Sequence, residues 1–137
     1  MTMSYQRADD TLNDALRGEA TPHLWLHTGS PGAAGTENVA QYDLANIARK
    51  AVTFGDVPAN HATNMERFVE TTATVEWSGT EIDPGEEITH FSIWSAESGG
   101  QPEFISTIHD GPKTTGSDGV TVAVGGIEVA ISVFVKP

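Results

Sequence analysis

The chain has no cysteine, so neither a disulfide nor a Cys-ligated zinc can hold it together and its stability has to come from packing. Basic residues are also scarce: seven Lys and Arg against nineteen Asp and Glu give a formal net charge of −12 at pH 7. Those seven (Arg7, Arg17, Arg49, Lys50, Arg67, Lys113, Lys136) stand singly or as one adjacent pair. Nucleic acid is therefore a poor partner, because binding it needs a clustered basic face to neutralise phosphates. An anionic membrane is disfavoured for the same reason, and no run approaches the roughly eighteen apolar residues of a membrane span. The opening "MTMSYQRADD" lacks the apolar stretch of a secretory signal, which leads to the expectation of a product that stays in the cytoplasm or leaves by lysis. Heptads, internal repeats and low-complexity tracts are missing too.

What is present suits one folded unit. A length of 137 residues is that of a single domain, and the 38% of hydrophobic residues fall in short runs along nearly the whole chain, enough to build a core. The acidic surplus gives solubility and mutual repulsion at high local concentration, which fits display in many copies.

Along the chain, "DDTLNDALRGEATP" places Leu12, Ala15 and Leu16 at helical spacing, with Asp9 to Thr11 as candidate cap and Gly18 and Pro22 as stops, so a helix of about two turns is expected. "HLWLHT" is an apolar run too short for a buried helix and reads as a strand. In "YDLANIARKAVTFG", Leu44, Ile47 and Ala48 allow a helical turn before a return strand. From Arg67 to Trp77 the alternation is continuous, with Val69, Thr71, Ala73, Val75 and Trp77 on one face, the period of a half-buried strand. "ITHFSIWSA", "EFISTI" and "VTVAVGG" follow between Gly/Pro/Asp turns, and in the last strand Ile127, Val129, Ile131, Val133 and Val135 share a face. Roughly six to eight short strands after one short helix give an all-β fold: an antiparallel β-sandwich, jelly-roll-like, with a short N-terminal helix. Residues 1–20 form an arm with that helix and 21–137 a single β-sandwich domain; deleting 1–20 is expected to weaken docking more than folding.

Catalytic signals are weak. The five histidines (His23, His27, His61, His90, His109) show no HExxH or HxxEH spacing, and satisfied or solvated imidazoles are expected rather than a metal site. Acidic pairs are so frequent that no carboxylate dyad stands out. Trp25, Trp77 and Trp94 are potential sugar-stacking rings, but strand-borne Trp belongs more often to a core. GxSxG is absent, and "TGSPGAAGTEN" contains neither GxxxxGK[ST] nor GxGxxG, so its glycines serve chain reversal rather than phosphate binding. No catalytic, metal-binding or cofactor-binding residue is assigned.

Four segments, "LWLHTGSPGAAGTENV", "ARKAVTFG", "VEWSGTEIDPGEEITHFSIWSAESGG" and "PKTTGSDGVTVAVGGIEVAI", resemble in order and spacing the small bacteriophage virion protein family usually labelled phage tail fibre protein. Its members read LHTxDPGxxG, an ARxxVTFG-like strand, THFGIWDAxxGG and PKTVxxGDxxxFxxGxLxI. Leu26, His27, Thr28, Pro31 and Gly32 match the first motif, with Ser30 where Asp is usual. Ala48, Arg49 and the stretch ending in Phe54 and Gly55 match the second. Thr89, His90, Phe91, Ile93, Trp94, Gly99 and Gly100 match the third, with Ser92 in place of the usual Gly. Pro112, Lys113 and Thr114 begin the fourth. "AQYDLANIA" is longer than the usual link, and its Tyr42, Leu44 and Ile47 are candidate partner contacts.

The resemblance implies a β-sandwich structural module of the virion, without catalysis or cofactor, assembled in the host cytoplasm. Its partners would be other virion proteins, a tail protein or the major capsid protein, with further copies of itself on a symmetric particle. Three placements stay open: a tail or tail-fibre-associated module, a capsid (head) decoration or minor capsid protein, and a carbohydrate-binding receptor module at the tail tip that takes a host glycan.

Overall fold

The computed structural model describes residues 4–56, 66–108 and 111–132. It begins with a helix, α1 (Tyr5–Leu16). Ser4 caps it, its hydroxyl accepting the Arg7 N–H at 3.3 Å and so satisfying one of the free amides of the first turn. Ala8, Leu12, Ala15 and Leu16 recur at i, i+4, i+7 and i+8 and form one apolar stripe. Ala8, Leu12 and Leu16 are buried. At the far end the Arg17 N–H returns to the Asn13 carbonyl at 3.0 Å, and Gly18 follows at φ +64°, a left-handed stop that glycine adopts at little cost. The helix has 12 residues rather than two turns; it starts upstream of Asp9 because Ser4, not Asp9 to Thr11, supplies the cap.

Among the described residues twelve strands follow: β1 (His23–His27), β2 (Gln41–Tyr42), β3 (Ala45–Asn46), β4 (Lys50–Ala51), β5 (Glu66–Glu70), β6 (Val75–Trp77), β7 (Glu87–Ile88), β8 (His90–Trp94), β9 (Pro102–Thr107), β10 (Lys113–Thr114), β11 (Val120–Val122) and β12 (Glu128–Ser132). The number exceeds six to eight because five of them have only two residues. All pairings are antiparallel: a four-stranded sheet in the order β4-β1-β8-β9, and the pairs β10-β7, β11-β6, β12-β5 and β2-β3. The fold is all-β and sandwich-like, with α1 the single helix among the described residues.

One core joins these elements. On β1, Leu24 and Leu26 point inward; opposite them on β8 lie Ile93 and Phe91, in the register Leu24↔Ile93 and Leu26↔Phe91. Val69, Trp77, Val122, Ile127 and Val129 come in from the two-stranded pairs, and Leu12 and Leu16 join them from the helix. Each such apolar side chain contributes about 1.5–3 kcal/mol on burial. The helix is also tied to β5 by a two-pronged pair: Arg67 Nε and Nη2 donate to Asp9 Oδ1 and Oδ2 at 2.6 and 3.0 Å. Residues 5–16 therefore cover the core rather than extend from it as an arm.

Three expectations change in detail. The single strand over Arg67–Trp77 is two strands, because Thr71 is caught by the opposite loop: its N–H donates to the Ile127 carbonyl at 3.1 Å and its hydroxyl accepts the Gly125 N–H at 3.0 Å. The chain then bends, Ala73 faces solvent, and β6 resumes against β11 instead of β12. The helical turn allowed around Leu44 is a hairpin, β2–β3, in the register Gln41↔Asn46 and Tyr42↔Ala45. "ITHFSIW" is divided at Thr89, with β7 pairing β10 and β8 pairing β1 and β9. Val133, Val135, His61 and His109 lie outside the described residues.

Candidate functional site

Where β1 and β8 pair, the register His23↔Trp94 through His27↔His90 brings residues of three distant segments together. Trp25 meets Trp94 edge to face at 5.8 Å and His27 at 5.7 Å between ring centroids, the favoured geometry for such rings. Arg49 lies over both indoles, 3.8 Å from the Trp94 ring and 4.7 Å from that of Trp25, a cation–π stack. Its Nη1 also donates to the carbonyls of Ala96 at 3.1 Å and Gly99 at 2.6 Å. Arg49 thereby pins the loop between β8 and β9 onto the sheet, with Gly99 and Gly100 at φ +67° and +70° supplying the reversal. Burial lowers the Arg49 pKa from its ordinary value.

Beneath the stack runs a buried chain of donors. Trp94 Nε1–H donates to Ser92 Oγ at 2.8 Å, and the Ser92 hydroxyl lies 2.7 Å from His27 Nε2. His27 Nδ1 lies 2.7 Å from the Glu37 carbonyl. A carbonyl only accepts, so Nδ1 carries the proton, Nε2 is bare and Ser92 donates to it. Burial favours this neutral imidazole by lowering its pKa from 6.5; the Glu37 carbonyl opposes the shift and the nearby His90 adds to it. His27 is thus saturated by the protein. Of the other histidines, His23 Nδ1 lies 2.9 Å from the Thr21 carbonyl and His90 Nδ1 lies 2.8 Å from Thr89 Oγ1. Among the described residues no three His, Asp or Glu side chains gather where they could hold a metal.

The Gly-rich loop folds onto this cluster and spends its amides internally. Thr28 N–H donates to Asn38 O at 2.8 Å, Gly35 N–H to Gly32 O at 3.1 Å and Glu37 N–H to Pro31 O at 2.9 Å. Gly35, at φ +72°, lets the chain pass so close that a Cβ would sit 3.1 Å from the Trp94 ring. Pro31 is buried, and a Cβ on Gly32 (φ +73°) would strike the Glu37 carboxylate. The acidic residues are structural as well. Glu81 takes Lys50 at 2.5 Å and the Ser78 N–H at 3.0 Å; the Lys50 bond, then Ser78, holds its carboxyl below the usual range.

The remaining motif residues serve the frame. Leu26 and Phe91 are core. The Ala48 carbonyl accepts Trp77 Nε1–H at 2.9 Å, Phe54 is buried and bridged to Thr71, and Gly55 N–H reaches the Glu70 carbonyl at 3.0 Å. Lys113 sits on β10 beside Ile88 of β7, preceded by an exposed Pro112. Trp77 and Trp94 are 1% and 5% exposed and Trp25 is half-buried under Arg49, so no indole offers a sugar an open face.

Of the three candidate contact residues, Ile47 is buried in the core and is not placed to touch a partner. Tyr42 and Leu44 are 38% and 89% exposed. The turn between β2 and β3 has Asp43 at φ +50° and Leu44 at φ +70°, the positive pair of a type I′ turn, which ordinarily selects Asn, Asp or Gly. Carboxylates lock it: Asp83 accepts the Asp43 N–H at 3.0 and 3.1 Å, and Glu86 accepts the Gln41 N–H at 2.9 Å. The sequence gives no hint of these clamps, because Asp83 and Glu86 lie some forty residues downstream and read as turn residues.

A family model described as podophage GP4 fiber I protein gp80 matches residues 2–130. The chain matches none of the curated protein sequences.

Proposed function

We propose, for a chain that belongs to the podophage GP4 fiber I protein gp80 family, the role of a non-catalytic, tail-fibre-associated module that joins other virion proteins through its β2–β3 hairpin. Membership of a phage fibre family makes it a virion-associated structural protein, in keeping with the resemblance in its sequence motifs. The family match over 129 residues carries the reading, since residues 2–130 are nearly the whole chain. The site geometry supports the absence of catalysis: His27, Arg49 and Trp94 spend their polar atoms on partners inside the chain, and the one buried imidazole among the described residues has both nitrogens occupied.

The hairpin is the surface that this role needs. Leu44 is a large apolar side chain at a tip where polar residues or glycine are usual, and the tip is held rigid by Asp83 and Glu86. A rigid apolar knob loses little conformational entropy on docking. Host-cytoplasm assembly and attachment to a tail protein rather than to the capsid belong to the same proposal, with the fibre family favouring the tail over head decoration. Labelling of purified particles with an antibody to this chain tests the placement by electron microscopy. Label at the tail is expected; label spread over the head would overturn it. Incubating the pure chain with host envelope glycans tests the other half, and cleavage abolished by substituting an acidic residue would show an enzyme.

A further inference from the structure

The outer edge of the four-stranded sheet is β9, and among the described residues no strand pairs with that edge. Two bonds flanking the β8–β9 ladder fix which way its amides point. Ile108 N–H donates to Thr89 O and Ser95 N–H to Gln101 O, both at 3.0 Å. Antiparallel pairs alternate between bonded and non-bonded, so with the register Phe91↔Ser106 and Ile93↔Phe104 the backbone groups of Phe104 and Ser106 face β8. Those of Ile105 and Thr107 face outward. An irregularity between Ile93 and Trp94 leaves Glu103 as the extra residue at the start of the strand, which leaves the Phe104–Thr107 half as the pairing edge.

This half is unusual on an acidic protein. It carries no charge and no proline, the features with which edge strands ordinarily repel neighbours. Ile105 is one of four exposed large hydrophobics among the described residues, at 36%. Beside it, a slot of about 270 Å³ runs between β9 and β12, lined by Phe91, Phe104, Ser106, Val129 and Ala130 and, as its single charged residue, Glu128. With a formal charge of −12, copies of this chain repel one another over most of their surface. Contact between copies is least costly where charge is sparsest, and here only Glu103 at the strand's start and Glu128 in the slot carry any.

We propose that β9 pairs with β9 of a second copy, antiparallel, across a two-fold axis at Ile105. The inference stands apart from where the protein sits in the particle. Two-fold pairing places Ile105 against its own counterpart, with outward N–H and C=O groups on both strands, the arrangement of a bonded pair. It sets Glu103 opposite the second copy's Thr107, so no like charges face each other. It also sets Ser106, exposed on the slot side of the strand, opposite the second copy's Phe104, whose half-exposed ring then covers the slot. The four-stranded sheet becomes one of eight strands through the dimer.

The test uses the full chain, whose lack of cysteine removes any background. In a bonded antiparallel pair the two Cα atoms at position 105 lie about 5.5 Å apart, inside the range of roughly 4.4–6.8 Å for a disulfide. Ile105→Cys is expected to give a covalent dimer under a mild oxidant. Thr107→Cys, offset by four residues or ~13 Å from its counterpart, is expected to stay monomeric on the same gel. Ile105→Lys puts two cations on the axis and is expected to weaken the dimer about tenfold or more by light scattering; circular dichroism checks that it remains folded. A wild-type chain that is monomeric across the concentration range overturns the proposal, as does equal crosslinking at 105 and 107. If Ile105→Lys fails to fold, the cysteine pair decides alone.

Discussion

Replacing Leu44 by glycine removes an apolar side chain and should nevertheless make the protein more stable. At φ +70° a leucine sits in the left-handed region, where the Cβ crowds the following carbonyl at a cost of roughly 1–2 kcal/mol. Glycine is free of that cost but gives back about 0.5–1 kcal/mol in backbone entropy. The side chain is 89% exposed, so its deletion loses little packing. The balance is a gain of about 0.5–1 kcal/mol, or about 2–5 °C in Tm for a chain of this length. Urea titration and thermal melting of wild type, Leu44→Gly and Leu44→Ala read it out. Alanine keeps the backbone penalty and is expected to leave stability unchanged, while both variants lose the knob and are expected to enter particles less efficiently. Equal stabilisation by alanine would show that the exposed apolar surface, not the backbone, is responsible, and a glycine variant melting at or below wild type would refute the strain.

The other expectations concern the frame. His27 has a folded pKa below 6.5, so the unfolded chain takes up the proton first; the stability this group contributes is complete above pH 6.5 and is lost as pH falls through its lower folded value. Urea midpoints measured from pH 7.5 downward should decline over that window, and the decline should shrink in His27→Gln; a wild-type midpoint that does not move would contradict it. Gly119 has φ +89° and a Cβ there would strike the Trp77 carbonyl oxygen, so Gly119→Ala is expected to cost about 3 kcal/mol or more. Gly116→Ala, with nothing within 4 Å, serves as the near-neutral control in the same melts. Leu12→Ala, at a wholly buried helix position, should cost about 2–5 kcal/mol, and deleting residues 1–20 should abolish cooperative unfolding, whereas an arm would leave the melt intact.

Local pattern carried the strands and the helix stripe into the sequence reading, and failed where a distant partner decides. "HLWLHT" reads as β1 because an apolar run too short for a buried helix, between flanking breakers, suffices. The bend after Thr71 leaves no mark, since the apolar alternation runs on through Ala73 to Trp77 while the cause lies at Ala123 to Ile127. The β2–β3 hairpin is disguised as a helical turn because Leu44 and Ile47 are three apart and the turn lacks the Asn-Gly or Asp-Gly signal. At the cluster, each motif was visible but not their meeting. Arg49 over Trp94, and His27 against Ser92, exist only once β1 and β8 are in register.

That division bears on what family membership can say about function. The motif residues that define the resemblance hold the fold: Arg49 clamps Gly99, Trp94 and His27 share Ser92, and the Gly-rich loop closes on β1. Each of these residues is fixed by a contact inside the chain, whatever the protein docks against. The two contacts proposed above lie where motifs are interrupted or silent, in the lengthened "AQYDLANIA" link that makes the Leu44 hairpin and in the Phe104–Thr107 edge of β9. The two surfaces make separable demands. Leu44→Ala should reduce incorporation into particles while leaving the oligomeric state of the pure chain unchanged, and Ile105→Lys should change the oligomeric state first. A Leu44 variant that also dissociates the pure protein would mean that one surface, not two, carries every contact.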